Sequence, residues 1–262
     1  MRKIILSGSF FFAFAVTLFA QEDVSLSKWQ ENKIVIDGHI SEWNPPFNLF
    51  DNKSGLIFTI TNDHKNLYLC FTENEELKAE KLMKAGWSFE LSSSEKKRKF
   101  TASISFPKIE DPNINMHADF THQVSYYKMD LVNIKTKGFV SNNGDIPLLN
   151  TNGINIGIGA ENEQKIIYEI AIPIKELMPE DKLQLNELIT LDVTVNGLGK
   201  SDGQSTATNS SGRGSFSSGR MGGGRMGGGR RGASGQSDAS AGDRSSLLDK
   251  VGFTQKFRLV NK

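Results

Sequence analysis

Residues Leu56 to Thr72 read LIFTITNDHKNLYLCFT. Leu56, Phe58 and Ile60 share one parity, with Thr59 and Thr61 on the other. Beyond a polar turn, Leu67, Leu69 and Phe71 alternate with Tyr68, Cys70 and Thr72. Successive side chains of a strand point to opposite faces, so a period of two predicts two strands with one face in a core. Asn62, Asp63 and Asn66 tolerate left-handed backbone and can bond their own turn, which closes the pair as a hairpin.

The same signal recurs on both sides. Upstream, Lys33 to Ile36 reads as a short strand, Asp37-Gly38 as a turn, and Pro45-Pro46 as a rigid loop. Downstream, Asn74 to Lys84 mixes charges with Leu77, Leu82 and Met83, which fits a short helix ended by Gly86. Trp87, Phe89 and Leu91 alternate with polar residues, as do Phe100, Ala102, Ile104 and Phe106. Within the longer middle excursion, a strand is expected around Val124 to Tyr127 and a turn at Asn142 to Asp145. Alternation returns at Ile154 to Ile158, at Ile166 to Ile172 up to Pro173, and at Ile189 to Val195. Ile174 to Met178 can close as one helical turn. Phe253, Gln255, Phe257 and Leu259 alternate once more at the end. About nine or ten strands without βαβ alternation predict an all-β fold, an antiparallel two-sheet sandwich of jelly-roll or immunoglobulin-like kind with one or two short helices.

Two stretches stand outside that pattern. Arg2 and Lys3 precede an apolar run from Ile4 to Ala20, and Gln21-Glu22-Asp23 follows. A basic start, an apolar middle and a small residue before polar sequence describe a signal peptide over 1–20, and hence a periplasmic or secreted protein. No later run is apolar enough to span a membrane. The second stretch, about 200–246, holds 13 of the chain's 25 glycines between Lys200 and Arg244, and repeats MGGGR at Met221 and Met226. Sequence this poor in apolar groups cannot repay the entropy of ordering, so it is expected to be a disordered insertion in a single domain over 21–262. A strand after it must dock on the sheet formed before it.

Formal charge is +1 for the whole chain, and −1 once Arg2 and Lys3 are removed. Seven basic and three acidic residues between Lys200 and Arg244 give that segment +4, leaving −5 on the rest. Global charge therefore points to neither nucleic acid nor membrane. A single cysteine, Cys70, excludes an internal disulfide. No nucleophile elbow, zinc-protease helix or phosphate loop is present, and an enzyme is not expected.

Three segments carry a resemblance: IVIDGHISEW at Ile34 to Trp43, ITNDHKNLYLCF at Ile60 to Phe71, and YEIAIPIKEL at Tyr168 to Leu177. Together and in this order they resemble DOMON-like sandwiches related to family 9 carbohydrate-binding modules. The resemblance implies a β-sandwich and a non-catalytic glycan-binding role. Sugar-binding members place facing tryptophans over a sugar ring, and some hold calcium.

An aromatic face for the C–H side of a pyranose, with polar groups for its hydroxyls, is what such a site needs. Outside clear core parity the candidates are Trp43, Tyr126 and Tyr127, with His117 on the same middle excursion as the tyrosines. Trp87 has core parity, and Trp29 stands before the first expected strand. No cofactor is expected. A structural calcium ion is compatible with Asp37, Asp51, Asp63 and Asp145 in turns, although no D-x-D-x-D-G loop occurs. Expected partners are a glycan or cell-envelope polysaccharide. The other reading is an interaction protein whose basic segment at 200–246 grips a partner protein or anionic polymer.

Overall fold

The computed structural model describes residues 24–45, 47–93, 99–109, 119–131, 133–148, 153–161, 165–178, 187–198 and 247–261. The expected signal peptide and the expected disordered insertion lie outside the described residues. In chain order the strands are β1 (Val24–Leu26), β2 (Lys28–Trp29), β3 (Leu49–Phe50), β4 (Ile57–Asn62), β5 (Asn66–Glu73), β6 (Trp87–Ser93) and β7 (Phe100–Phe106). They continue with β8 (Asn133–Lys137), β9 (Gly144–Pro147), β10 (Asn155–Glu161), β11 (Lys165–Pro173), β12 (Leu188–Val195) and β13 (Val251–Arg258). The helices are α1 (Glu76–Ala85), α2 (Phe120–Asp130) and α3 (Ile174–Leu177).

The strands form two sheets. One runs β1-β13-β12-β6-β7-β8-β9, the other β10-β11-β5-β4-β2, with β3 also on β4. Phe71 of β5 meets Trp87 and Phe89 of β6 at ring separations of 5.2 and 5.8 Å, which places the main core between the sheets. Every position of core parity named above between Leu56 and Leu91 is buried there, as are Ile170, Leu191 and Phe257. The expected sandwich is therefore present. Most pairings are antiparallel, but the short edge strands β1 and β2 pair parallel to β13 and β4. Strand β13 lies between β1 and β12, so the last alternating segment completes the larger sheet.

Three local expectations are corrected. Val124 to Tyr127 is helix, not strand, because Phe120, Val124 and Tyr127 recur at helical spacing and are all buried. Asp119 caps that helix, its side chain accepting from the His122 N–H at 3.1 Å. With α2 the described residues hold three α-helices, beside a 3-10 turn at Ser41–Trp43, rather than the expected one or two. Lys33 to Ile36 is not a strand. It pairs with no ladder, since Ile34 and Ile36 pack onto a sheet face rather than beside an edge.

That packing overturns a further expectation. Strands β4, β5 and β11 are buried on both faces, not one. A strap formed by residues 34–45, with Phe47, covers the outer face of the smaller sheet. Ile34, Ile40 and Trp43 pack there with Tyr68, Cys70, Ile167 and Ala171 in a second apolar cluster. Cys70 is an apolar member of that cluster, and burial pushes its thiol well above the usual range. Gly38 turns the strap at φ +92°, and a Cβ there would lie 2.7 Å from the Ile158 carbonyl oxygen. A Cβ on the facing Gly159 would lie 2.0 Å from the Gly38 oxygen, so both positions need to be bare.

One buried carboxylate fastens the strap. Glu169 sits on β11 with no exposed surface. Its Oε2 accepts the backbone N–H of Asp37 at 2.9 Å and that of Gly38, and its Oε1 accepts the indole N–H of Trp43. A carboxamide cannot replace this acceptor. Its NH2 would face either the indole N–H or two backbone N–H groups. Glu169→Gln is expected to cost about 1–3 kcal/mol of stability and to expose Trp43, read as a lower urea midpoint with red-shifted tryptophan fluorescence.

Burial pushes the carboxyl of Glu73 up to about 7 from an ordinary 4.5, against the pull of the N–H groups it accepts. It holds its proton more tightly when folded than when unfolded. Its share of the stability is complete below the ordinary carboxylate value of 4.5 and is lost as pH rises through about 7. At Glu73 the loss is about 3 kcal/mol. Glu73→Gln keeps the neutral shape, so it is expected to match the parent at low pH and exceed it at pH above 7, by urea unfolding across the range.

Candidate functional site

The residues expected to bind ligand do not come together. Trp43 is 2% exposed beneath the strap, its polar end spent on Glu169. Tyr127 is fully buried and faces Tyr168 edge-on at 6.3 Å, so it belongs to the core. Adjacent residues of a helix point about 100° apart, which is why Tyr126, beside it, reaches solvent at 45% exposure. His117 lies outside the described residues. Trp87 is core, as its parity predicted. Among the described residues, no group of three or more His, Cys, Asp or Glu side chains is placed to hold a metal ion.

An open groove lies elsewhere, at one end of the smaller sheet. One wall is residues 29–33, leaving β2, and the other is the β4–β5 turn, residues 63–66, with Tyr68. Its volume is about 620 Å³. Backbone pairing sets the walls: Trp29 stands opposite Asn62 in the β2–β4 register, and the Gln30 N–H donates to the Asn62 carbonyl at 2.9 Å. The Gln30 amide then donates to the Asn32 carbonyl at 2.9 Å and holds the wall's bend.

The turn is fixed by Asp63. Its Oδ1 accepts the N–H groups of Lys65 and Asn66, both at 2.7 Å, and its Oδ2 accepts the Tyr68 hydroxyl at 2.8 Å. Burial would raise this carboxyl, but those donors outweigh it and hold it below the ordinary value. The same contact works in reverse on Tyr68. Its burial and the Asp63 charge push the phenol up to about 12. The turn presents His64 to Trp29, ring centroids 4.6 Å apart at 72°. Trp29 is half-buried, with the imidazole packed against it.

The groove therefore combines one indole with amide, ammonium and carboxylate groups. The hairpin turn on one wall was legible as NDHKN. Trp29 was not, because β2 is two residues long and carries no periodicity. Only the structure singles it out: Trp43 and Trp87 are consumed by apolar clusters, leaving Trp29 as the tryptophan that reaches solvent.

No family model matches the sequence, and no curated protein matches it at significant similarity. Among solved structures, the chain is similar to a family 9 carbohydrate-binding module from Caldicellulosiruptor kristjanssonii in complex with glucose, with 10% identity and a TM-score of 0.32. That match covers 66% of this chain and 77% of the module. A module of the same description in complex with cellotriose gives 11% identity, coverage of 66% and 75%, and a TM-score of 0.31.

Asp63→Ala removes three hydrogen bonds from the turn. It is expected to cost about 2–3 kcal/mol and to free His64 from Trp29, read as a lower urea midpoint and a changed indole signal in heteronuclear NMR spectra.

Proposed function

We propose that this chain is an exported, non-catalytic glycan-binding domain, with its ligand in the groove against Trp29. The observation that carries the reading is the half-buried indole, packed at 72° to the His64 ring and lining a groove of about 620 Å³ with otherwise largely polar walls. The C–H face of a pyranose fits an indole, and its hydroxyls suit the amides of Asn32 and Asn66 at the rim. Export rests on the leader-like residues 1–20, and no described helix is long and apolar enough to cross a membrane.

The basic segment is attached away from this groove. Strand β12 ends at Val195 and β13 begins at Val251, paired with it. The other end of β13 approaches the groove, where the Asn62 amide donates to the Val260 carbonyl at 2.9 Å. Eight strand residues, about 27 Å, separate the two ends.

Affinity electrophoresis in gels containing soluble polysaccharides tests the reading. The full chain is expected to be retarded by at least one glycan, and Trp29→Ala to weaken that retardation about tenfold or more. Deleting Ser201 to Asp243 is expected to leave it unchanged. Folded parent protein that ignores a diverse glycan panel overturns the reading. Loss of binding only on the deletion would move recognition to the basic segment.

A further inference from the structure

The charges around the groove point to a narrower ligand class. Asp63 lines it, but both of its carboxylate oxygens are turned into its own hairpin, bonded to Lys65 N–H, Asn66 N–H and the Tyr68 hydroxyl. Glu31, the other acidic lining residue, is not free either. The cations differ. Lys33 rises from one wall and Lys65 from the other, both exposed. Among the described residues neither ammonium forms a side-chain hydrogen bond or ion pair. His64 stands beside Lys65 with its ring against Trp29. Beside the neutral amides of Asn32 and Asn66, the groove thus offers an unpaired cation on each wall and an indole in its lining.

Resting on the glycan reading above, we infer that this groove prefers acidic sugars, specifically uronate units whose carboxylate stands on the pyranose rim. The ring of a uronate keeps the apolar C–H face that an indole takes. Its carboxylate accepts charge-assisted hydrogen bonds from an ammonium group, which are stronger than those a neutral hydroxymethyl can make. A neutral sugar uses Trp29 but leaves both lysines to water. An acidic sugar engages all three.

Isothermal titration of the full chain with oligogalacturonate and with its methyl ester tests this directly, because the two share one sugar backbone and esterification removes the charge at the cost of a single added methyl group. The acid form is expected to bind about tenfold more tightly at low salt, with the difference lost at high salt. Lys33→Ala/Lys65→Ala, changing two exposed residues, is expected to remove the preference, bringing the acid form's affinity down to that of the ester. Trp29→Ala is expected to weaken both ligands. Equal affinities in the parent, or a preference that survives in the double-lysine variant, overturn the inference. In either case binding of the ester, or of any neutral glycan, leaves the glycan reading standing. Failure of the folded chain to bind any acidic or neutral glycan overturns both.

Discussion

A buried carboxylate that accepts three N–H groups is the constraint on which the smaller sheet depends. Glu169 lies in the middle of β11, where an apolar residue would ordinarily stand. Burying a carboxylate is costly unless donors surround it. Here the donors are two backbone amides of the Asp37-Gly38 turn and the Trp43 indole, all carried by the strap. The strap therefore docks in one register only, with Gly38 over Gly159 and Trp43 over the outer face of β5 and β11. Ile34, Ile40 and Trp43 then close a second apolar layer over Tyr68 and Cys70. Without that layer, β5 and β11 would expose Tyr68, Cys70, Ile167 and Ala171.

The groove is downstream of this arrangement. Tyr68 has its ring under the strap, 6.4 Å from Trp43, and its hydroxyl on Asp63. One side chain thus joins the apolar layer to the turn that presents His64. On the other wall, Gln30 pairs with Asn62 just before the strap begins. The groove is formed where the chain leaves β2 and enters the strap, so its shape follows from how the strap is fastened.

Much of the fold was legible because strand parity survives burial. Phe58, Leu69, Phe89, Ile104, Ile170 and Leu191 all face the main core, as their spacing predicted. Parity did not disclose the second layer, because Tyr68, Cys70 and Ala171 look like ordinary outward residues until something covers them. Nor could it place Val124 and Tyr127, where a short segment fits either period and Phe120 settles the choice from outside the window. The motif residues marked the scaffold well, with Asp37-Gly38, Trp43 and Glu169 meeting in one cluster. The groove was harder to read. Trp29 owes its position to a two-residue parallel pairing with β4, a long-range contact with no local signature. Trp43 looked available because a sequence does not reveal that an indole N–H already has an acceptor.

The neck between β12 and β13 carries a different lesson. The Leu198 N–H donates to the Leu247 carbonyl at 3.0 Å, and the strands below pair without a gap from Val195 and Val251 onward. Whatever sequence joins those two leucines starts and finishes at the same point. Doubling the length of a flexible joiner raises its closure cost by only about 0.6 kcal/mol. The neck is therefore a natural splice point, where lineages could lengthen, shorten or exchange a cassette while the groove end of the domain keeps its shape.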